Sequence, residues 1–279
     1  LWATQDPDEQ RAAGRFVLLD APAGARSVPA DWSPARGVPM EAGEGGGEAD
    51  PADELFMILR VAPAASIGGP CVRTARAFEL QLPKRGIVCL EGPNGIGKSV
   101  LLSVACGLIE VSQIRADPGN LGDKPPLLVT QYPERQIFEE TIRQEVAFAA
   151  VSRGVPRRET EQRAEAVFGR LEMATRLTPD RRTWELSSGE KRLVLLVGAL
   201  IAPAALLALD EPTAGLDPRR REILAQLIRE RALRDLVLVA SQDTRWLRDL
   251  AGRVVPLPPP PTSLKSQQKN GLTATCEEH

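Results

Sequence analysis

Histidine is almost missing from this 279-residue chain: the single one, His279, is its last residue. Catalysis by imidazole and metal sites ligated by histidine are therefore almost excluded as the basis of its function. Cysteine is scarce too. Cys71, Cys89, Cys106 and Cys276 show no spacing suited to a zinc or cluster site. Cys89 and Cys106 lie in apolar runs, so reduced, buried thiols and a cytosolic setting are expected. Neither sign of charge dominates, with 35 basic against 37 acidic residues. That balance gives no electrostatic case for nucleic acid as a partner, and none is expected. Long apolar runs are also lacking. Residues 193–209 carry no charge, but Pro203 interrupts them and polar motifs flank them. They read as a buried helix followed by a buried strand rather than as a membrane span. The opening residues, acidic and rich in Ala, Pro and Gly, do not read as a signal peptide.

The chain divides by composition. Residues 1–55, with the run Gly43-Glu44-Gly45-Gly46-Gly47-Glu48, have no sustained apolar periodicity and are expected to lie outside the folded domain. Met57, with Met40 as the other candidate, reads as a start residue. Residues 257–279, with prolines at 258–261 followed by a polar run, read as a flexible tail. Between them, residues 56–256 alternate strand and helix. Strands are expected at 58–62, 87–91, 127–130, 206–209 and 236–240. Helices are expected at 99–106, closed by Gly107, at 159–171, and after Asp217-Pro218, an N-cap with proline at the first helical position. This order predicts an α/β fold with a mostly parallel sheet covered on both faces. The stretch 135–185 shows no strand pattern and is expected to be an inserted helical subdomain.

Three motifs carry chemistry. Gly92-Pro93-Asn94-Gly95-Ile96-Gly97-Lys98-Ser99, continuing into Val100, is a P-loop (Walker A) between a strand and a helix. Its glycines let several N–H groups turn on one anion, and the helix adds its positive end. Lys98 supplies charge to the β- and γ-phosphates, and Ser99 can ligate Mg²⁺. The apolar run 206–209 ends in Asp210 and Glu211. Asp210 suits an Mg²⁺ ligand, and Glu211 suits a general base that polarises the attacking water. Leu186-Ser187-Ser188-Gly189-Glu190-Lys191 precedes an apolar helix, with Ser187 or Ser188 as N-cap and Glu190 in the first turn.

The order of these motifs, with Gln131 after the P-loop and Ala214-Gly215-Leu216-Asp217 after Asp210-Glu211, resembles the ATP-binding-cassette (ABC) ATPases. The resemblance covers about residues 55–256 and implies a P-loop NTPase fold, an ABC-type ATPase core with an inserted helical subdomain. It implies that Gln131 contacts Mg²⁺ and the attacking water, that residues 186–190 form the signature motif, with Ser187 and Gly189 at the ATP, and that Asp217 belongs to the D-loop. It further implies a dimer in which each signature closes over ATP on the other subunit's P-loop. A narrower resemblance lies in Gln131-Tyr132-Pro133-Glu134-Arg135-Gln136-Ile137-Phe138-Glu139-Glu140-Thr141 with Glu145-Val146-Ala147-Phe148. This segment is similar to the Q-loop region of ATPases from energy-coupling-factor (ECF) importers, which take up vitamins and cobalt or nickel. There it leads into the helix that touches the transmembrane coupling subunit. The resemblance implies ATP hydrolysis that powers uptake from the cytoplasmic face of the membrane, with a second ATPase subunit and transmembrane coupling and substrate-binding subunits as partners.

Three departures stand out. Gln242 occupies the position where the family places a histidine that meets the γ-phosphate. It can donate a hydrogen bond but cannot shuttle a proton as imidazole does, so slower hydrolysis with retained binding is expected. In the signature, Ser188 replaces glycine and Glu190 replaces glutamine. Glu190 would repel ATP unless it pairs, with Lys191 or Arg192 as the expected partners. No aromatic residue lies in 58–77 to stack on adenine. Other readings therefore stay open: a soluble ABC ATPase acting on DNA or ribosomes, an exporter's ATPase, or a hydrolytically weak member of a heterodimer.

Overall fold

Apolar strands with little alternation need cover on both faces, and the structure supplies it. A computed structural model describes residues 55–63, 70–118, 124–132, 136–250 and 252–258. The expected N-terminal extension (except Leu55), Pro133-Glu134-Arg135, most of the expected tail, Cys276 and His279 lie outside the described residues.

The main sheet has five parallel strands in the order β5-β6-β7-β3-β8. These are β3 (Gly86–Glu91), β5 (Leu127–Val129), β6 (Leu206–Asp210), β7 (Leu236–Ser241) and β8 (Arg253–Pro256). Register sorts their side chains between two cores. Val129, Leu209, Val239 and Cys89 are cross-strand partners and face one core. Ala208, Leu238 and Val88 are partners one residue earlier and face the other. A period of two, applied to strands apolar at every position, thus builds two buried layers. Burial pushes the Cys89 and Cys106 thiols up to about 12, so both remain protonated at neutral pH.

The second core is closed by α1 (Lys98–Ala105), through Leu101 and Leu102, and by a small antiparallel sheet, β2-β1-β4. Its strands are β1 (Leu55–Val61), β2 (Phe78–Pro83) and β4 (Ile114–Pro118). The sequence pointed only to the first of these, at 58–62. The end of α1 follows its residues closely. Gly107, at φ +68°, donates to the Val104 carbonyl and Leu108 donates to that of Ser103, the paired bonds that close a helix on a left-handed glycine.

Between 136 and 201 the described residues form α2 (Ile142–Val151), α3 (Arg157–Arg170), a 3-10 turn (Thr183–Glu185) and α4 (Ser188–Ile201). Thr141 and Gln144 start α2 with a reciprocal capping box. Gly198 lets α2 approach α4 closely, since a Cβ there would sit 3.2 Å from the Val146 carbonyl. α5 (Pro218–Ala232) and α6 (Thr244–Asp249) complete the first core with Leu224, Ile228 and Leu247.

One boundary differs from expectation. Leu257, expected to begin the tail, donates its N–H to the Glu91 carbonyl and is 6% exposed against the core under Gly92. An apolar residue just past β8 extends the pairing with β3 and so belongs to the domain.

Candidate nucleotide site

Parallel strands send all their carboxyl ends to one edge, and there the expected residues gather. Glu91 is in register with Ser241, and Asp210 with Ala240. The P-loop therefore leaves β3, Asp210-Glu211 ends β6, Ser241-Gln242 ends β7 and Gln131 follows β5, all along one rim.

The P-loop is shaped by backbone that only glycine tolerates well. Gly95 and Gly97 have φ of +71° and +107°. Gly97 is the N-cap of α1, and no side chain caps that helix, so its first N–H groups are available to an anion. Lys98 arches back over the loop, with its Nζ donating to the carbonyls of Gly92 at 2.6 Å and Pro93 at 3.2 Å. Burial lowers its pKa, and the nearby Glu211 and Asp210 carboxylates oppose that shift. Pro93, Asn94, Gly95 and Ser99 are exposed, whereas the Ile96 side chain is in the core and Val100 packs on it. Ile96 and Val100 thus shape the loop and leave only backbone to a ligand.

Asp210 is buried, which raises its pKa. A hydrogen bond from Ser99 works against that rise, as do the charges of Lys98 and Arg192, while Glu211 adds to it. Ser99 and Asp210 thus present two hard oxygens side by side. Few protein oxygens beside substrate phosphates is what Mg²⁺ favours, so the donor set fits that ion.

Glu211 is held at several points. Its φ is +48°, unusual for a residue with a side chain. Its N–H donates to the Ala240 carbonyl at 2.8 Å, and Ser241 Oγ donates to its Oε2 at 2.9 Å. Its Oε1 is buried with no protein partner. With Gln131, Ser241, Gln242 and Asp243 it lines a cleft of about 250 Å³. Gln242 is exposed and is among the residues that line it.

Ser187, Gly189 and Asp217 are not among the residues lining this cleft. Ser187 caps α4 in a capping box, and its N–H and hydroxyl both donate to Glu190 Oε2, at 2.9 and 3.0 Å. A Cβ at Gly189 would stand 4.0 Å from the Gly215 carbonyl, at ordinary contact distance. Asp217 caps α5 by accepting from the Arg220 N–H at 2.9 Å. The segments expected to be the signature and the D-loop are therefore neighbours.

The expected partner of Glu190 is corrected. It pairs with neither Lys191 nor Arg192 but with Arg181, at 2.9 Å, and more distantly with Arg176 at 3.8 Å. Successive residues on a helix point in different directions, and Arg192 turns toward Glu211 and Gln131 instead. Burial works to raise the Glu190 pKa. The Arg181 and Ser187 hydrogen bonds and the Arg181 charge outweigh it and hold the carboxyl at about 2. Sequence reasoning also missed Gln136. Its side chain accepts from the Thr130 N–H at 2.8 Å and donates to the Leu128 carbonyl at 2.8 Å, prolonging the edge of β5 up to Gln131.

The ABC transporter family model matches residues 75–214, half of the chain. The chain belongs to the ABC transporter family. This ABC protein is similar to the energy-coupling factor transporter ATP-binding protein EcfA2 of Bacillus licheniformis, at 39% identity over 49% of the chain and 52% of the relative. An ABC transporter ATP-binding protein of Methanopyrus kandleri is 36% identical over 64% of the chain and 69% of that protein. The chain thus spans about half the length of the Bacillus relative. Among solved structures, cbiO1 of Clostridium perfringens, described as part of the ABC transporter complex cbiONQ, superposes with a TM-score of 0.55 at 24% identity. It covers 76% of this chain and 91% of its own, and shows the shared P-loop α/β fold.

Proposed function

We propose that this chain is the ATP-binding and hydrolysing subunit of an ECF-type importer for a vitamin or a transition-metal ion. The observation that carries this reading is the rim where Lys98, Ser99 and Asp210 adjoin a half-buried Glu211 whose buried Oε1 has no protein partner. A carboxylate with one oxygen tied to Ser241 and the other left unpaired, one residue from the phosphate-side carboxylate, suits a base for an attacking water. The likeness to EcfA2 proteins supports the importer class.

In this reading the N–H groups of the loop from Gly92 to Ser99 and the charge of Lys98 hold the phosphates, with Val100 packed behind. Ser99, Asp210 and Gln131 would hold Mg²⁺, which supplies charge neutralisation at the β- and γ-phosphates when bound. Glu211 takes the proton of the attacking water, and Gln242 donates a hydrogen bond toward the γ-phosphate. Ser187, Gly189 and Asp217 serve the ATP of a second ABC subunit across a head-to-tail dimer.

Among the described residues no helix is long and apolar enough to cross a membrane; in this reading other subunits supply the membrane path. Phe138 and Trp184 are 50% and 62% exposed and line a hollow of about 350 Å³ with Glu139, Glu140 and Lys191. Large apolar side chains left in water beside charged ones suit a docking surface for such a subunit. The chain then works peripherally at the cytoplasmic face.

The test is to express tagged Glu211→Gln and wild-type chains in membranes of a host carrying the neighbouring genes. Glu211→Gln should trap an ATP-bound dimer, and wild-type should retrieve a multi-spanning protein. Retrieval of ribosomes or DNA alone would favour a soluble ABC ATPase and overturn the importer reading.

A further inference from the structure

Arg192 lies on the second turn of α4, half-buried, and its guanidinium spans two loops. Its NH1 donates to the Glu211 carbonyl at 2.7 Å and its NH2 to the Gln131 carbonyl at 2.6 Å. These loops leave different strands, β6 and β5, and are 80 residues apart in sequence. The planar fork of a guanidinium suits two acceptors at once, and its permanent charge strengthens both bonds. We propose that Arg192 is a positioning residue for the reaction: it fixes the backbone of Glu211 against that of Gln131, and so sets where the Glu211 carboxylate points.

Three features make this more than a structural tie. Glu211 holds a positive φ, a conformation that persists only where its surroundings impose it. Its N–H is pinned by Ala240 and its Oε2 by Ser241, both from β7, so Arg192 supplies the restraint on its carbonyl from the helical side. The carbonyl and the side chain hang from one Cα, so a backbone shift that the lost bonds to Arg192 allow at Glu211 carries its carboxylate with it. The acceptors are backbone oxygens, so the link works whatever the Gln131 side chain contacts. A shift of the Gln131 loop is passed through one rigid group to Glu211, which gives the helical layer a direct hold on the base.

The inference rests on the reading of Glu211 as the base, and the experiment separates the two. Purified wild-type, Glu211→Gln, Arg192→Lys and Arg192→Ala chains are compared by ATP binding at equilibrium, steady-state kcat and KM for ATP, and thermal melting. Wild-type turnover that Glu211→Gln abolishes establishes the base. Arg192→Ala should then lower kcat by about tenfold to a hundredfold, the scale of a sub-ångström to ångström misplacement, with ATP affinity unchanged. Arg192→Lys keeps the charge but offers a single head group to two carbonyls, so it should recover only part of kcat. If Glu211→Gln turns over like wild-type, the reading of Glu211 fails. If Glu211→Gln is inactive and both Arg192 variants keep the wild-type kcat, the positioning role fails alone. It fails equally if KM rises while kcat holds, or if both variants lose ATP binding and cooperative melting together.

Discussion

Replacing Gly97 by alanine adds one methyl group, and the structure says how much room that group has. A Cβ at 97 would stand 2.6 Å from the Cys71 carbonyl oxygen and 2.7 Å from Val72 Cα, where ordinary contact begins at 3.4 Å. Both are backbone atoms, and they cannot yield. Val72 N–H donates to Gln113 Oε1 at 2.9 Å, Gln113 Nε2 donates to the Val72 carbonyl at 2.6 Å, and Arg73 N–H donates to the Ile96 carbonyl at 2.8 Å. The phosphate loop must therefore retreat by about 0.8 Å, the gap between 3.4 and 2.6 Å. The φ of +107° adds a further cost of roughly 1–2 kcal/mol for any L side chain. Gly86 is the matched control. Its φ is +110°, but nothing lies within 4 Å of its Cβ position. Gly86→Ala should lose about 1–2 kcal/mol in urea unfolding and bind ATP like wild-type. Gly97→Ala should lose about 2–5 kcal/mol, the same backbone cost plus overpacking. It should also bind ATP at least about tenfold more weakly, because an ångström of misplacement in a site of oriented donors is costly. Equal ATP affinity in both variants would refute the argument that close approach of the loop to Cys71–Val72 shapes the site.

Gln242→His should raise kcat about tenfold or more, since imidazole can hold and release a proton where the amide cannot; steady-state turnover at saturating ATP checks this, and an unchanged kcat counts against it. Glu190→Gln should keep the capping box of Ser187 but lose the Arg181 ion pair, costing about 1–3 kcal/mol at neutral pH. The sign follows from the Glu190 carboxyl being held at about 2 rather than the ordinary 4.5: the contribution is complete above about pH 4.5 and is lost as pH falls toward 2. Acid unfolding of the variant should therefore be flatter between pH 4.5 and 2 than that of wild-type, and superimposable curves would remove Arg181–Glu190 from the account.

How far the sequence could be read depends on where each signal resides. β3, β6 and β7 were legible because each is an apolar run that ends in a motif, and a run apolar at every position can be buried only between two layers. β2 was not read, although Leu80 and Leu82 are fully buried and Glu79 and Gln81 face outward. Its alternation covers only a few residues, and its partner is a strand some twenty positions earlier. β4, with arginine, aspartate and proline in five residues, has no pattern to find until β1 pairs with it. In the site, Lys98, Ser99, Asp210 and Glu211 were legible because their chemistry lies in their side chains. The restraints on them were not. Arg192 grips two carbonyls, and a carbonyl acceptor leaves no residue type to recognise. Ser241 reads as one more small residue at a strand end until the register of β7 with β6 brings it to Glu211. Arg181 lies nine residues before Glu190, across a turn whose path only the packed chain defines.

The same contrast bears on the departures from the family pattern. Glu190 looked from sequence like a charge set against ATP, an obstacle at the helix end where an anion should be welcome. In the fold its two oxygens are occupied, one by Arg181 and the other by the N–H and hydroxyl of Ser187. The carboxylate is therefore neutralised from behind while it orders the first turn of α4. The Ser187 hydroxyl has its proton committed to Glu190, so any contact it makes with a phosphate must first break that bond. A glutamine at 190 would hold the same hydroxyl less firmly, because a neutral acceptor binds a donor about half as strongly as a charged one. The substitution that looks like damage in the sequence thus tightens the cap of the signature helix. Its cost falls on the freedom of Ser187 to leave that cap, not on the net charge facing the nucleotide.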